Sequence, residues 1–128
     1  MGQPVPEPPL VLIADDDSLV RVALRLAVSS RGWQVVEAAD FEQLARCAAE
    51  RPPDICLLDA NMPGSDLGSR IDSLAAAGVS VVVMSGQHSS PPAADGLPFV
   101  RKPVELATLM RVLDDTMSTQ ATRSESHR

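Results

Sequence analysis

Residues 55–64 read ICLLDANMPG. Four apolar residues run unbroken into a carboxylate, Asp59, and Pro63 and Gly64 then turn the chain. A run this short, without polar alternation, fits a strand buried on both faces, as in a parallel sheet. The same design recurs on either side. Leu10–Ala14 leads into Asp15, Asp16 and Asp17, and residues 35–36 with their flanks make a second apolar run. Residues 79–84 lead into Ser85 and Gly86, and residues 99–100 into Lys102 and Pro103. Helical patterns fill the intervals. Leu19, Ala23, Leu26 and Ala27 set one apolar stripe on a first helix, and Leu44 and Ala48 mark a second. Leu67, Ile71, Leu74 and Ala75 mark a third, and Leu106, Leu109, Met110, Leu113 and Met117 the last. Ser18 or Asp17 can cap the first helix and Asp40 the second, while Gly32 and Gly78 stand where a helix should stop. Strict β-α alternation predicts an α/β domain with a parallel sheet covered on both faces. The fourth crossover is the exception. Residues 88–97, HSSPPAADGL, hold Pro91, Pro92 and Gly96. Proline lacks the N–H and fixes φ, so a loop is predicted there, or at most one turn starting at the prolines.

The chain has 128 residues, enough for one domain, and 45% hydrophobic against 22% charged residues marks it as globular. Eleven Lys and Arg against 17 Asp and Glu give a formal net charge of −6, which disfavours non-specific nucleic-acid binding. No apolar run approaches the roughly 20 residues of a membrane span, and the start MGQPVPEPPL lacks the pattern of a signal peptide. Cys47 and Cys56 show no CxxC spacing and read as buried thiols in a reducing cytoplasm. The expected organisation is a disordered Pro-rich leader over residues 1–9, one domain over 10–117 and a flexible polar tail over 118–128. His88 and His127 are expected in solvent, and Trp33 is expected to pack at the start of the second strand.

Functional groups in an open α/β sheet gather at the carboxyl ends of the strands. Those ends here carry Asp15, Asp16 and Asp17, then Asp59, Ser85 and Lys102. Carboxylates converging at one edge repel one another unless a cation sits among them, and oxygen ligands with room for water suit Mg²⁺. A lysine and a hydroxyl beside them suggest a bound anion, with phosphoryl the foremost candidate. An Asp can attack phosphorus and carry an acyl phosphate. The residues alone thus point to Mg²⁺-assisted phosphoryl chemistry on a carboxylate. Asp17 is read as a helix cap rather than a ligand.

LIADDD, LLDANMPG, VVVMSG and FVRKP, in that order and each at a strand end, resemble the receiver domain of two-component response regulators. The resemblance spans about residues 10–117. It implies a flavodoxin-like (βα)5 fold, a doubly wound five-stranded parallel sheet of order 2-1-3-4-5, here with the fourth helix short or absent. It implies Asp59 as phosphoacceptor, with Mg²⁺ held by Asp15, Asp16, Asp59 and the backbone carbonyl of Asn61. Ser85 would turn onto the phosphoryl group, and Lys102 would pair with its oxygens through a strand end closed by a cis bond to Pro103. Phe99 stands at the aromatic position that follows the hydroxyl. Gly86 keeps access open, and Asn61 and Gln87 match positions that tune phosphorylation and hydrolysis. The implied donor is a phosphohistidine on a histidine kinase or histidine phosphotransfer protein, and the implied output is a downstream protein target. The chain would be a monomer or weak dimer in the cytoplasm. It would assist its own phosphorylation and dephosphorylation without being a conventional enzyme.

The stretches from Asp59 to Ser85 and from Ser85 to Lys102 are each a few residues shorter than is usual in that family. IDSLAAAGVSVVVMSGQ and LPFVRKP are similar to a subclass of short, often stand-alone receivers with a reduced fourth helix, here with Ser-Gly-Gln in place of its Thr-Gly-aromatic motif. In alphaproteobacteria that subclass associates with general-stress and related kinases. A loop over 87–97 that orders on phosphorylation would replace output through the fourth helix. The chain is expected to be a stand-alone receiver or one cut from a longer hybrid protein. The main alternative is a pseudo-receiver, a protein-interaction module without phosphorylation, but it predicts a broken acidic site. A haloacid-dehalogenase-type phosphatase usually needs a second Asp two residues after the nucleophile, where this chain has Asn61.

Overall fold

In the computed structural model, residues 7–64, 66–87 and 91–126 are described, with side chains as far as Gln120. Residues 1–6 of the expected leader, His88 and His127 lie outside them. Five strands alternate with helices: β1 (Leu10–Ala14), α1 (Ser18–Ser29), β2 (Gln34–Ala38), α2 (Phe41–Glu50), β3 (Ile55–Asp59), α3 (Leu67–Ala76), β4 (Ser80–Ser85), β5 (Phe99–Arg101) and α4 (Leu106–Ser126). The strands form one parallel sheet in the order β2-β1-β3-β4-β5, as expected. Among the described residues between β4 and β5 stands one 3-10 turn, Pro92–Ala94, which starts at the prolines as expected; residues 88–90 of the expected 87–97 loop lie outside the described residues.

Successive side chains of a strand point to opposite faces, so one continuous apolar run supplies two cores. Leu12, Cys56, Leu58, Val81 and Val83 are buried on one face with Phe41 and Leu44 of α2 and Ile71 and Leu74 of α3. Val11, Ile13, Ile55, Leu57, Val82 and Met84 are buried on the other with Leu24 and Val28 of α1 and Leu109 and Leu113 of α4. Each such Leu, Ile or Val stabilises the fold by about 1.5–3 kcal/mol relative to leaving it exposed. Trp33 packs at the edge of the second core, under the guanidinium of Arg31. Gly32 and Gly78 end α1 and α3 at φ of +83° and +82°, a region that side chains disfavour.

Three expectations are corrected. The stripe Leu19, Ala23, Leu26, Ala27 is not the core face of α1: Leu19 is 80% and Leu26 62% exposed, while Leu24 and Val28 are buried. Both sides of this helix are apolar, and Val20, Leu24 and Val28, one turn apart, are the set that the start at Asp17 aims at the sheet. The tail expected from residue 118 continues α4 as far as Ser126. Extending an existing helix closes one hydrogen bond per residue, and Gln120 Nε2 donates to the Asp54 carbonyl below β3 (3.3 Å). The end of the leader is tied down as well. Gln34 donates from Nε2 to the Pro8 carbonyl and from its backbone N–H to the Pro9 carbonyl, and Glu7 pairs with Arg51.

Candidate functional site at the carboxyl edge of the sheet

β1, β3, β4 and β5 all end at one edge, which brings Asp15, Asp59, Ser85 and Lys102 together. The Lys102 ammonium lies 2.7 Å from Asp15 Oδ2 and 3.3 Å from Asp59 Oδ1. Asp15 is fully buried, Asp59 and Ser85 nearly so, and Asp16 is exposed. Carboxylate oxygens of Asp15, Asp16 and Asp59 lie within 4.8 Å of one another. Local bonds hold the set in place. Asp15 Oδ1 accepts from the Asp17 N–H (2.9 Å), and the Asp15 carbonyl accepts from Arg21 Nη1 (2.7 Å). Asp59 Oδ1 accepts from the Asn61 N–H (3.0 Å), and Ser85 Oγ accepts from the Gln87 N–H (3.1 Å). The Lys102 N–H donates to the Ser85 carbonyl (2.8 Å), and the peptide between Lys102 and Pro103 is cis.

Burial first, and repulsion from Asp15 second, raise the Asp59 carboxyl above its ordinary value despite the Asn61 N–H and Lys102. For Lys102 burial works to lower the pKa, but the hydrogen bond to Asp15 and the attraction of both carboxylates outweigh it and raise the group. Two carboxylates thus contact one ammonium and the Asp16 carboxylate lies beside them, so among the described residues the cluster holds an excess of acidic groups that a hard cation would relieve. The donors are all oxygen and one is open to water, so the set fits Mg²⁺.

Other expected residues take defined places. Asn61, Gly86 and Gln87 are exposed beside the edge, and Phe99 is half-buried against the first core. A Cβ added at Gly86 would meet nothing within 4 Å among the described residues. Asp17 is the N-cap of α1, accepting from the Leu19 N–H (2.9 Å) and the Val20 N–H (3.3 Å). Asp17→Ala is therefore expected to cost about 1 kcal/mol in a denaturant melt. It should leave Mg²⁺ affinity, measured by calorimetry, within twofold. Arg21 was not foreseen as a support of the Asp15 backbone; an arginine one turn after the cap is the only signal in the sequence. Cys47 and Cys56 are free thiols, and burial pushes the Cys56 thiol far up.

A 2-1-3-4-5 sheet with its polar groups at this edge has the architecture of signal receiver domains. The family model for the response regulator receiver domain matches residues 11–114, and the chain belongs to that family of two-component systems. The transcriptional regulatory protein PrrA of Mycobacterium tuberculosis is 36% identical over 109 residues, which are 80% of this chain and 47% of that protein. The chain thus spans less than half the length of that relative. A receiver domain of an HD domain-containing protein from Pseudomonas fluorescens superposes with a TM-score of 0.83 over 91% of this chain and 99% of its own. At 17% identity that likeness is one of fold. A response regulator receiver protein from Pseudomonas putida is 30% identical, with a TM-score of 0.73 over 87% of this chain and 99% of its own. Among the described residues no helix is long and apolar enough to cross a membrane.

Proposed function

We propose that the chain is a phosphoacceptor, taking a phosphoryl group from a phosphohistidine onto Asp59. The observation that carries this reading is the buried Asp59 carboxylate, 3.3 Å from the Lys102 ammonium and clustered with Asp15 and Asp16. The Asn61 N–H and Lys102 both engage Oδ1, so Oδ2 is the oxygen that neither holds. Attack by a carboxylate oxygen on phosphorus forms the O–P bond as the N–P bond breaks, and the imidazole leaves with the electron pair. Lys102 offsets charge on the phosphoryl oxygens, so the chain's contribution is positioning and electrostatics rather than turnover of a substrate. Asp15, Asp16, Asp59 and the Asn61 carbonyl would hold Mg²⁺, which when bound supplies further positive charge beside the phosphoryl group. Ser85, Phe99, Gly86 and Gln87 serve switching and tuning.

Leu19 in the first turn of α1 and Leu106 at the start of α4 are exposed apolar residues on the segments that follow β1 and β5 at this edge. Apolar surface of that kind suits docking of a kinase or phosphotransfer helix that presents the histidine. The protein works in the cytoplasm, where that donor and the output protein meet it.

The test is intact mass after incubation with a small phosphodonor and, separately, with a phosphorylated histidine phosphotransfer protein, with and without Mg²⁺. One Mg²⁺-dependent, base-labile phosphoryl adduct is expected, absent from Asp59→Asn. A folded protein that gains no adduct from either donor would be a pseudo-receiver acting through contacts alone.

A further inference from the structure

Every polar atom of Asp15 is engaged. Its N–H donates to the Ala38 carbonyl at the end of β2 (3.1 Å), and its carboxylate accepts from the Asp17 N–H and from Lys102. Its carbonyl lies past the last paired residue of β1 and accepts from Arg21 Nη1 at 2.7 Å. Arg21 is itself held. Its Nε donates to Glu37 Oε1 (3.3 Å), and Arg25 Nη1 donates to Glu37 Oε2 (3.3 Å). Glu37 stands on β2 in register with Ile13, on the sheet face that α1 covers. The Arg21 side chain is 17% exposed, so its planar head bridges β2 and the Asp15 carbonyl largely out of water.

We propose that Arg21 is a positioning residue for the metal site. Its guanidinium, aligned by Glu37, fixes the peptide between Asp15 and Asp16 and so sets where the exposed Asp16 carboxylate stands relative to Asp15 and Asp59. The proposal rests on the reading of the acidic edge as a Mg²⁺ site. A carbonyl held in place fixes the plane that also contains the N–H and Cα of the next residue, here Asp16. Mg²⁺ demands near-ideal octahedral geometry, so a turned peptide between two successive ligands weakens binding. Arg21 acts here through geometry and not through charge. A guanidinium beside a cation site repels the cation, and Glu37 offsets that charge while orienting Nε. The two roles therefore differ in sign. Deleting a mere positive charge would tighten Mg²⁺ binding, whereas deleting a clamp weakens it.

The experiment is titration calorimetry of the whole chain with Mg²⁺ alone, comparing the parent with Arg21→Ala, Arg21→Lys and Arg25→Ala, alongside amide hydrogen exchange of each protein free of metal. Both Arg21 variants are expected to bind Mg²⁺ about tenfold more weakly. Lysine keeps the charge but lacks the planar fork that serves two acceptors at once. In either variant Glu37 keeps Arg25 as a partner. Arg25→Ala, which removes a bond to Glu37 and none to Asp15, should stay within about twofold of the parent. Without metal, the Asp17 amide, bonded to Asp15 Oδ1, should exchange faster in both Arg21 variants, by a larger factor than the Leu57 amide in β3. Unchanged or tighter Mg²⁺ binding by folded Arg21→Ala would overturn the proposal, as would parent affinity in Arg21→Lys. Equal factors at Asp17 and Leu57 would make Arg21 a general stabiliser and overturn it too. A parent that takes up no Mg²⁺ would remove the metal reading instead, and the hold of Arg21 on the peptide would then stand or fall with the Asp17 exchange.

Discussion

Asp59→Asn makes the Mg²⁺-free protein more stable than the parent, by an amount on the order of 1–2 kcal/mol, the usual scale of a single substitution. Burial, and then the charge of Asp15, hold the Asp59 carboxyl above its ordinary value of 3.8 in the folded chain. A group whose folded pKa exceeds its unfolded one binds protons better when folded, so its ionisation costs stability as pH rises through that window. Below about pH 4 the carboxyl is protonated in both states, and parent and variant should melt alike. Above the raised folded pKa the full difference appears. Urea melts in a chelator at several pH values measure it. A variant that is no more stable than the parent at neutral pH would mean that the Asn61 N–H and Lys102 already compensate the buried charge.

Lys102→Ala is the opposite case and the larger loss. Its ammonium is the cation between two buried carboxylates, at 2.7 Å and 3.3 Å. Breaking a buried ion pair by removing one partner costs about 3–5 kcal/mol, and the 24% exposure of Lys102 puts this case near 3. Combined with Asp59→Asn, the loss should shrink by about 1 kcal/mol or more, because one of the two stranded charges is gone. Equal losses in both backgrounds would show that Lys102 acts through packing instead. The folded pKa of Lys102 lies above 10.5, so its contribution is fully present below that pH and disappears only at stronger alkalinity. Near neutral pH the deficit should not vary with pH through this group.

The strands were legible because each is a short unbroken apolar run, and the topology then brings their polar ends together. Asp15, Asp59, Ser85 and Lys102 are far apart in sequence but meet at one edge for that reason. The weak fourth crossover was legible because Pro91 and Pro92 forbid a continuous helix. The phase of α1 was not. Leu19 and Leu26 are as apolar as Leu24 and Val28, and which pair faces the sheet depends on how the chain leaves β1 through the Asp17 cap. The last turns of α4 were hidden for another reason. Thr116, Thr119 and Gln120 give no apolar period, yet Thr116 donates to the Val112 carbonyl, Thr119 to the Asp115 carbonyl and Gln120 to the Asp54 carbonyl. Arg21 escaped notice because its reach to the Asp15 carbonyl crosses a turn that only the folded backbone defines.

The bond between the Gln87 N–H and the Ser85 hydroxyl oxygen has a cost attached. Were the hydroxyl to swing toward Asp59, that N–H would lose its acceptor, and the backbone just past β4 would have to find water or a new partner. In a crossover wound into a full helix, such a demand would be resisted by several consecutive rungs of hydrogen bonds. Here the described part of the crossover holds one 3-10 turn, so few rungs oppose it. Were that rotation to occur, the described backbone at Gln87 would give up one hydrogen bond, about 0.5–1.5 kcal/mol.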